Sequence, residues 1–212
     1  MSDPSAAGGG PPPPAPEPER QLWLVRHGET EWARLGRHTG RTDVPLTDLG
    51  REQALALGRR LAGHPFALVL TSPLARATDT ARLAGFGDAA EIDADLREWD
   101  YGDLEGRLTA EIRADFPDWT IWAGPWPGGE TADDVARRTN RVLARCRDPL
   151  VSGDVLLFSH GHLLRMLAAR WLALPPASGG LFALATATVS ILGWDRDQPV
   201  IETWNEACHL QG

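Results

Sequence analysis

The stretch Leu22-Trp23-Leu24-Val25-Arg26-His27-Gly28-Glu29 sets four apolar residues directly before an arginine, a histidine, a glycine and a carboxylate. So short an apolar run reads as a buried strand rather than a helix. A second stretch has the same build, Val155-Leu156-Leu157-Phe158 running into Ser159-His160-Gly161-His162. Two strands that both end in such side chains point to an open α/β sheet, whose ligands gather beyond the carboxyl ends of its strands.

Two more motifs lie between them, Ser72-Pro73-Leu74-Ala75-Arg76-Ala77 and Leu96-Arg97-Glu98. Together the four supply Arg26, Arg76, His27, His160 and Glu98. Arginine offers fixed, planar donors suited to phosphate oxygens. An imidazole is a competent nucleophile near neutral pH, because much of it is unprotonated. A carboxylic acid can protonate a departing alkoxide. Gly28 lets backbone amides approach an anion closely.

The remaining pattern extends the same architecture. Thr47 predicts a capped helix through Leu61, with Ala54, Leu57, Gly58 and Leu61 at helical spacing. Ala67–Leu70 reads as a strand, and Pro73 as the first turn of a helix. Glu91–Leu96 reads as a third strand, residues 132–146 as a helix, Asp154–Ser159 as a strand and His162–Leu172 as a buried helix. Ala183–Trp194 and Val200–Trp204 read as two final strands joined at Asp195 to Pro199. This alternation predicts a three-layer α/β fold, a largely parallel sheet flanked by helices, with room for antiparallel strands at its end.

Residues 1–20 carry Gly8-Gly9-Gly10 and Pro11 to Pro14, and no large apolar residue after Met1. Such a segment cannot offset its ordering entropy by burial, so it is expected to be a disordered tail, with residues 21–212 forming the domain. A polyproline ligand for a partner is the other reading of that tail. The net charge of −8 argues against nonspecific binding to nucleic acid or anionic membranes, so an anion pocket must be a local concentration of arginine. All 21 basic residues are arginine, which excludes a P-loop or Schiff-base lysine. The two cysteines, Cys146 and Cys208, fit unpaired thiols in a reducing compartment. No apolar segment reaches the ~20 residues of a membrane helix, and no secretory signal is evident, so a cytoplasmic enzyme is expected.

The four motifs, in this order and each near a strand end, resemble the histidine phosphatase superfamily, also called phosphoglycerate-mutase-like, from about Leu22 to Trp204. That resemblance implies metal-independent phosphomonoester hydrolysis through a phosphohistidine, with no cofactor. It makes His27 the nucleophile, Glu98 the acid–base residue, Arg26 and Arg76 the phosphate clamps, and His160 a second pocket histidine, protonated beside the dianion. Gly161 opens a helix whose amino-terminal amides favour negative charge. For Glu98 the competing role is an ion pair with Arg97. His160 and His162 can also be read as a metal pair, though no cluster supplies further ligands.

Mutases of the superfamily place an Arg-His pair after the acid–base glutamate and Asn after the tryptophan of the first motif. Here Trp99-Asp100 and Ala33 stand there, and no long basic insert follows Gly106, so hydrolysis is favoured over phosphate transfer. Gly36-Arg37-His38-Thr39-Gly40, Trp119-Thr120-Ile121-Trp122, Gly129-Glu130-Thr131 and His162-Leu163-Leu164-Arg165 resemble the sedoheptulose-1,7-bisphosphatases and some acid phosphatases within it. On that resemblance Thr39, Gly40, Trp99, Tyr101 and Gly161 line the substrate pocket, and Arg165 is the candidate ligand for a second phosphate. Trp119, Trp122 and Trp126, at helix-like spacing, form either a lid or a local apolar cluster. The expected partner is a small phosphorylated substrate. A mutase, a non-catalytic phosphate-binding scaffold, and a homodimer through an edge strand remain open.

Overall fold

The computed structural model describes residues 20–148 and 150–211; the tail expected to be disordered lies outside them except for Arg20. In chain order the elements are β1 (Leu22–Arg26), α1 (Glu31–Leu35), α2 (Asp48–Leu61), β2 (Phe66–Thr71), α3 (Ala75–Leu83), β3 (Ala90–Ile92), α4 (Thr109–Asp115), α5 (Ala132–Cys146), β4 (Asp154–Ser159), α6 (Gly161–Trp171), β5 (Val189–Asp195) and β6 (Gln198–Glu206). The six strands form one sheet in the order β3-β2-β4-β1-β5-β6. β3, β2, β4 and β1 are mutually parallel; β5 runs antiparallel to β1, and β6 antiparallel to β5.

The two-residue period of the central strands sorts their side chains between two cores. Leu22 and Leu24 of β1, with Val155 and Leu157 of β4, face the core completed by α5 and α6. Trp23 and Val25, with Leu156 and Phe158, face the other, completed by Leu57 and Leu61 of α2 and Ala81 of α3. Leu57 is fully buried, so truncation to alanine there costs about 2–5 kcal/mol.

Local chemistry fixes the helices that frame the site. Thr47 caps α2, its Oγ1 accepting from Gly50 N at 3.0 Å. Thr131 and Asp134 cap α5 reciprocally, and Val135, Thr139, Val142 and Cys146 form its buried stripe. His160 is the N-cap residue of α6 but makes no side-chain cap bond, leaving the first amides of that helix in need of an acceptor.

Several boundaries differ from expectation. The third strand ends at Ile92; Asp93 then accepts from Asp95 N at 2.9 Å and caps a single 3₁₀ turn, Ala94–Leu96. β5 starts only at Val189, because Ala187 has a left-handed φ of 55° and its amide turns to Arg26 O and His27 O at 3.1 Å. Pro73 lies before the N-cap Leu74, outside α3. α6 begins at Gly161, one residue early, and ends at Trp171. The short helices α1 and α4 were not anticipated. Residues 119–124 are a turn-rich loop rather than a helix: Trp119 Nε1 donates to Pro125 O at 2.9 Å and Trp126 Nε1 to Ile121 O at 2.7 Å. Trp119 is buried in the α5/α6 core, with Trp122 and Trp126 packed against it, which is the cluster reading.

Candidate active site

Pairing of β1 with β4 sets Arg26 beside Ser159, and His27 N continues the ladder to Ser159 O at 2.9 Å. His27 and His160 therefore leave adjacent parallel strands at the same level, their ring centroids 5.2 Å apart. His27 Nδ1 lies 2.7 Å from Gly28 O. A carbonyl only accepts, so Nδ1 carries the proton and Nε2 keeps its lone pair. Burial, then the nearby Arg76 and Arg26 cations, hold this imidazole well below its usual pKa of 6.5. A Cβ on Gly28 would lie 2.4 Å from Gly50 O, so only glycine allows α2 to approach the histidine loop this closely.

The two arginines differ in how they are held. Arg26 Nη1 donates to Leu184 O at 2.5 Å, while its buried Nε has no partner among the described residues. Arg76, fully buried near the start of α3, donates Nη1 to Thr42 O at 3.0 Å, and Nη2 to Gly40 O at 3.0 Å and Thr39 O at 3.2 Å. Its Nε reaches His160 Nδ1 at 3.2 Å. Because guanidinium only donates, His160 Nδ1 is unprotonated and Nε2–H donates to Ser72 Oγ at 2.7 Å. His160 is thus a neutral ring in this hydrogen-bond arrangement, whereas the protonated form is the one expected beside a dianion. Burial and then the Arg76 charge push its pKa well down.

Glu98 supplies what α6 lacks. Its Oε1 accepts from Leu163 N and Trp99 N, each at 2.9 Å, and Oε2 accepts from His162 N at 3.0 Å. The carboxyl group caps the helix that carries His160, so the alternative ion pair with Arg97 is not formed. The loop bearing Glu98 is held by Arg138 of α5, which donates to Asp95 O at 2.9 Å, Arg97 O at 2.6 Å and Glu98 O at 3.1 Å. Arg138 also grips both carboxylate oxygens of Glu130 at 2.9 Å.

A cavity of about 270 Å³ opens over these groups, with Arg26, His27, Thr39, Glu98, Tyr101, Gly161 and Arg165 in its lining. Arg76 and His160 form the buried wall behind it, both fully enclosed. Trp99 does not face the substrate space: it is fully buried in the α5/α6 core, with Nε1 donating to Glu130 O at 2.7 Å. Gly40 lines not this cavity but an adjoining one of about 410 Å³ that also reaches Glu98; its amide donates to Glu105 Oε1 at 3.0 Å and its carbonyl accepts from Arg76. Thr39 lines the cavity, but its hydroxyl donates to Arg37 O at 3.1 Å. Arg165 Nε donates to Gly179 O at 3.1 Å, and the guanidinium stacks on Trp122 at 5.0 Å.

Arg138 escaped the sequence reading; Ser72 and the cavity-lining His38 stood in its motifs without a role, and His162 was read only as one of a metal pair. Arg138 left a usable signal, a charge three residues after Val135 on an otherwise apolar stripe. His162 does not share an ion site with His160. Its Nδ1 meets Tyr101 Oη at 2.6 Å, whereas His160 uses both ring nitrogens on Arg76 and Ser72.

Known proteins share this arrangement of sequence and fold. A protein named acid phosphatase from Mycobacterium tuberculosis (strain ATCC 25618 / H37Rv) is 44% identical over 177 residues, 82% of this chain and 87% of its own. The sedoheptulose 1,7-bisphosphatase of Saccharomyces cerevisiae (strain ATCC 204508 / S288c) is 36% identical over 182 residues, 71% of this chain and 67% of its own. A protein named probable phosphoglycerate mutase GpmB, from Salmonella choleraesuis (strain SC-B67), is 31% identical over 203 residues, 90% and 94% of the two chains. The solved structure of the Mycobacterium tuberculosis open reading frame Rv3214 superposes with a TM-score of 0.85 at 40% identity, covering 89% of this chain and 98% of that one. The model of the histidine phosphatase superfamily (branch 1) matches residues 22–207, and the chain belongs to that superfamily.

Proposed function

We propose that the chain hydrolyses phosphomonoesters of small polyhydroxylated alcohols, sugar phosphates and bisphosphates among them, with His27 as the nucleophile. The observation that carries this reading is the Nδ1–H···O bond to Gly28, which leaves the Nε2 lone pair of a buried, neutral imidazole free beside two arginines. In the first half-reaction Nε2 attacks phosphorus and the P–O ester bond breaks. The Glu98 carboxylic acid gives its proton to the departing alkoxide. In the second, the Glu98 carboxylate takes a proton from water, whose oxygen attacks phosphorus as the P–N bond breaks and its electrons return to the ring.

Arg26 and Arg76 would hold the equatorial oxygens, where charge grows in the transition state, with the unpartnered Arg26 Nε–H and the His160 wall set in advance. The relatives named acid phosphatase and sedoheptulose bisphosphatase support hydrolysis of such esters. We place residues 21–212 in one catalytic domain and the enzyme in the cytoplasm. No helix among the described residues is long and apolar enough to cross a membrane, and Cys146 and Cys208 are unpaired.

Alkaline quenching of the enzyme with a labelled ester, in the presence of EDTA, tests the scheme. Label should appear on His27 and be absent from His27→Ala, with product formation lost in step. Turnover at the normal rate in His27→Ala would sink it.

A further inference from the structure

His162 belongs to the fourth motif, yet the scheme above gives it nothing to do. Its ring lines the cavity that holds His27, Glu98 and Arg165. Tyr101 lies beneath it, 2% exposed, with Oη 2.6 Å from His162 Nδ1. Burial and the Glu98 charge push the Tyr101 pKa well up, so the phenol keeps its proton; Nδ1 is the one acceptor within reach of Oη among the described residues, so the proton points to it. The imidazole is neutral as well, its pKa held well down by burial, Arg165 and His38. If Nδ1 accepts, the single ring proton must sit on Nε2. That Nε2 has no hydrogen-bond partner among the described residues and is not sealed in the protein. Trp122, at 5.6 Å edge to face, and His38, at 6.0 Å, limit the ring's freedom to turn. The backbone amide of the same residue donates to Glu98, and Nδ1 stands 4.0 Å from Glu98 Oε2.

We infer that His162, locked by Tyr101 as an Nε2–H donor beside Glu98, is a specificity-determining residue that recognises a hydroxyl on the alcohol part of the ester. This deepens the phosphatase reading and rests on it for the substrate class. A neutral donor suits a neutral acceptor. The Arg26 and Arg165 cations in the same cavity already serve anions, and a charged third group would gain little there. The donor is anchored to the helix turn that Glu98 caps, so a hydroxyl held by it keeps a fixed relation to the proton that the leaving oxygen needs. An ester with no hydroxyl beyond its phosphate would leave this donor unmatched and gain nothing from it.

Two measurements on the full chain decide the matter. Long-range ¹H–¹⁵N spectra read which ring nitrogen of His162 bears the proton. Nε2–H is expected in the wild type and a mixture of tautomers in Tyr101→Phe; a proton on Nδ1 in the wild type overturns the proposal. The second is the ratio of kcat/KM for glycerol 3-phosphate to that for n-propyl phosphate, two esters that differ in hydroxyl groups. His162→Leu should lower this ratio about tenfold, the scale of one hydrogen bond. His162→Gln, whose side-chain N–H can take the place of Nε2–H, should restore most of it. An unchanged ratio in His162→Leu also overturns the proposal. Wild-type enzyme inert to both esters speaks against the phosphatase reading itself, and the tautomer then decides the donor's existence alone.

Discussion

Arg76 Nε donates to His160 Nδ1 at 3.2 Å, fixing the tautomer of a histidine that follows the neighbouring strand β4. The same guanidinium ties down three carbonyls of the Thr39–Thr42 loop. Lysine offers one compact charge and cannot reproduce that fork. Arg76→Lys should therefore lower kcat by about 10²–10³-fold, the usual cost of one preorganised donor. It should also lower Tm, because buried carbonyls lose their donors. Kinetics and melting on one preparation check both, and a loss confined to KM would contradict the assignment.

Acid should act on stability before it acts on the nucleophile. His27, His160 and His162 have folded pKa values well below 6.5, and His38 is pushed down to about 4, in each case chiefly by burial. A histidine depressed in the fold takes its proton first in the unfolded chain. Its contribution is whole above pH 6.5 and is lost as pH falls through the window toward the folded value. Thermal melts should show Tm dropping steadily from pH 6.5 to 4.5. His38→Asn should flatten the slope by about one proton, roughly 1.4 kcal/mol per pH unit. His27 stays unprotonated in the same range, so the acid limb of kcat/KM should lie below pH 6.5 wherever the protein remains folded.

Trp99 is a core residue, and its replacement should read out as stability. Trp99→Phe removes the donor to Glu130 O and strands a carbonyl next to the Arg138–Glu130 pair. Denaturant unfolding should show a loss of about 1–3 kcal/mol, with KM little altered. A large rise in KM at constant stability would return the residue to the substrate pocket.

Arg165 has two tasks that can be separated. Nε holds Gly179 O, and the guanidinium shares the cavity with Arg26. Arg165→Ala should weaken a sugar bisphosphate far more than a small monoester, alongside a modest loss of Tm from the released Gly179–Gly180 turn. Equal losses on the two esters would leave only the structural task.

What could be read from the sequence followed the range of the interactions. The strand ends at Arg26 and Ser159 were legible because apolar runs and their polar stops are local. Thr47, Thr131 and the buried stripe of α5 were legible for the same reason. β5 was misjudged because its start is set by Ala187 reaching back to Arg26 and His27, a contact 160 residues away in sequence. Trp99 was misplaced because aromatic character alone does not separate a pocket wall from a core. The tautomer of His160 was not legible because it is set by Arg76, which only the fold brings near. His27, Arg26 and Glu98 do meet at one cavity.

The Arg138 grip carries a consequence for how this site can change. Three carbonyls from Asp95 to Glu98 are positioned by one side chain reaching over from a neighbouring helix, while Asp93 caps the turn before them and Asp95 pairs with Arg141 of the same helix. A segment whose backbone is gripped from outside in this way can exchange its exposed residues, Ala94 and Arg97, without shifting its carboxylate. Substrate preference can thus drift residue by residue around an acid whose address is written elsewhere, and Arg138 is the position at which such drift should stop.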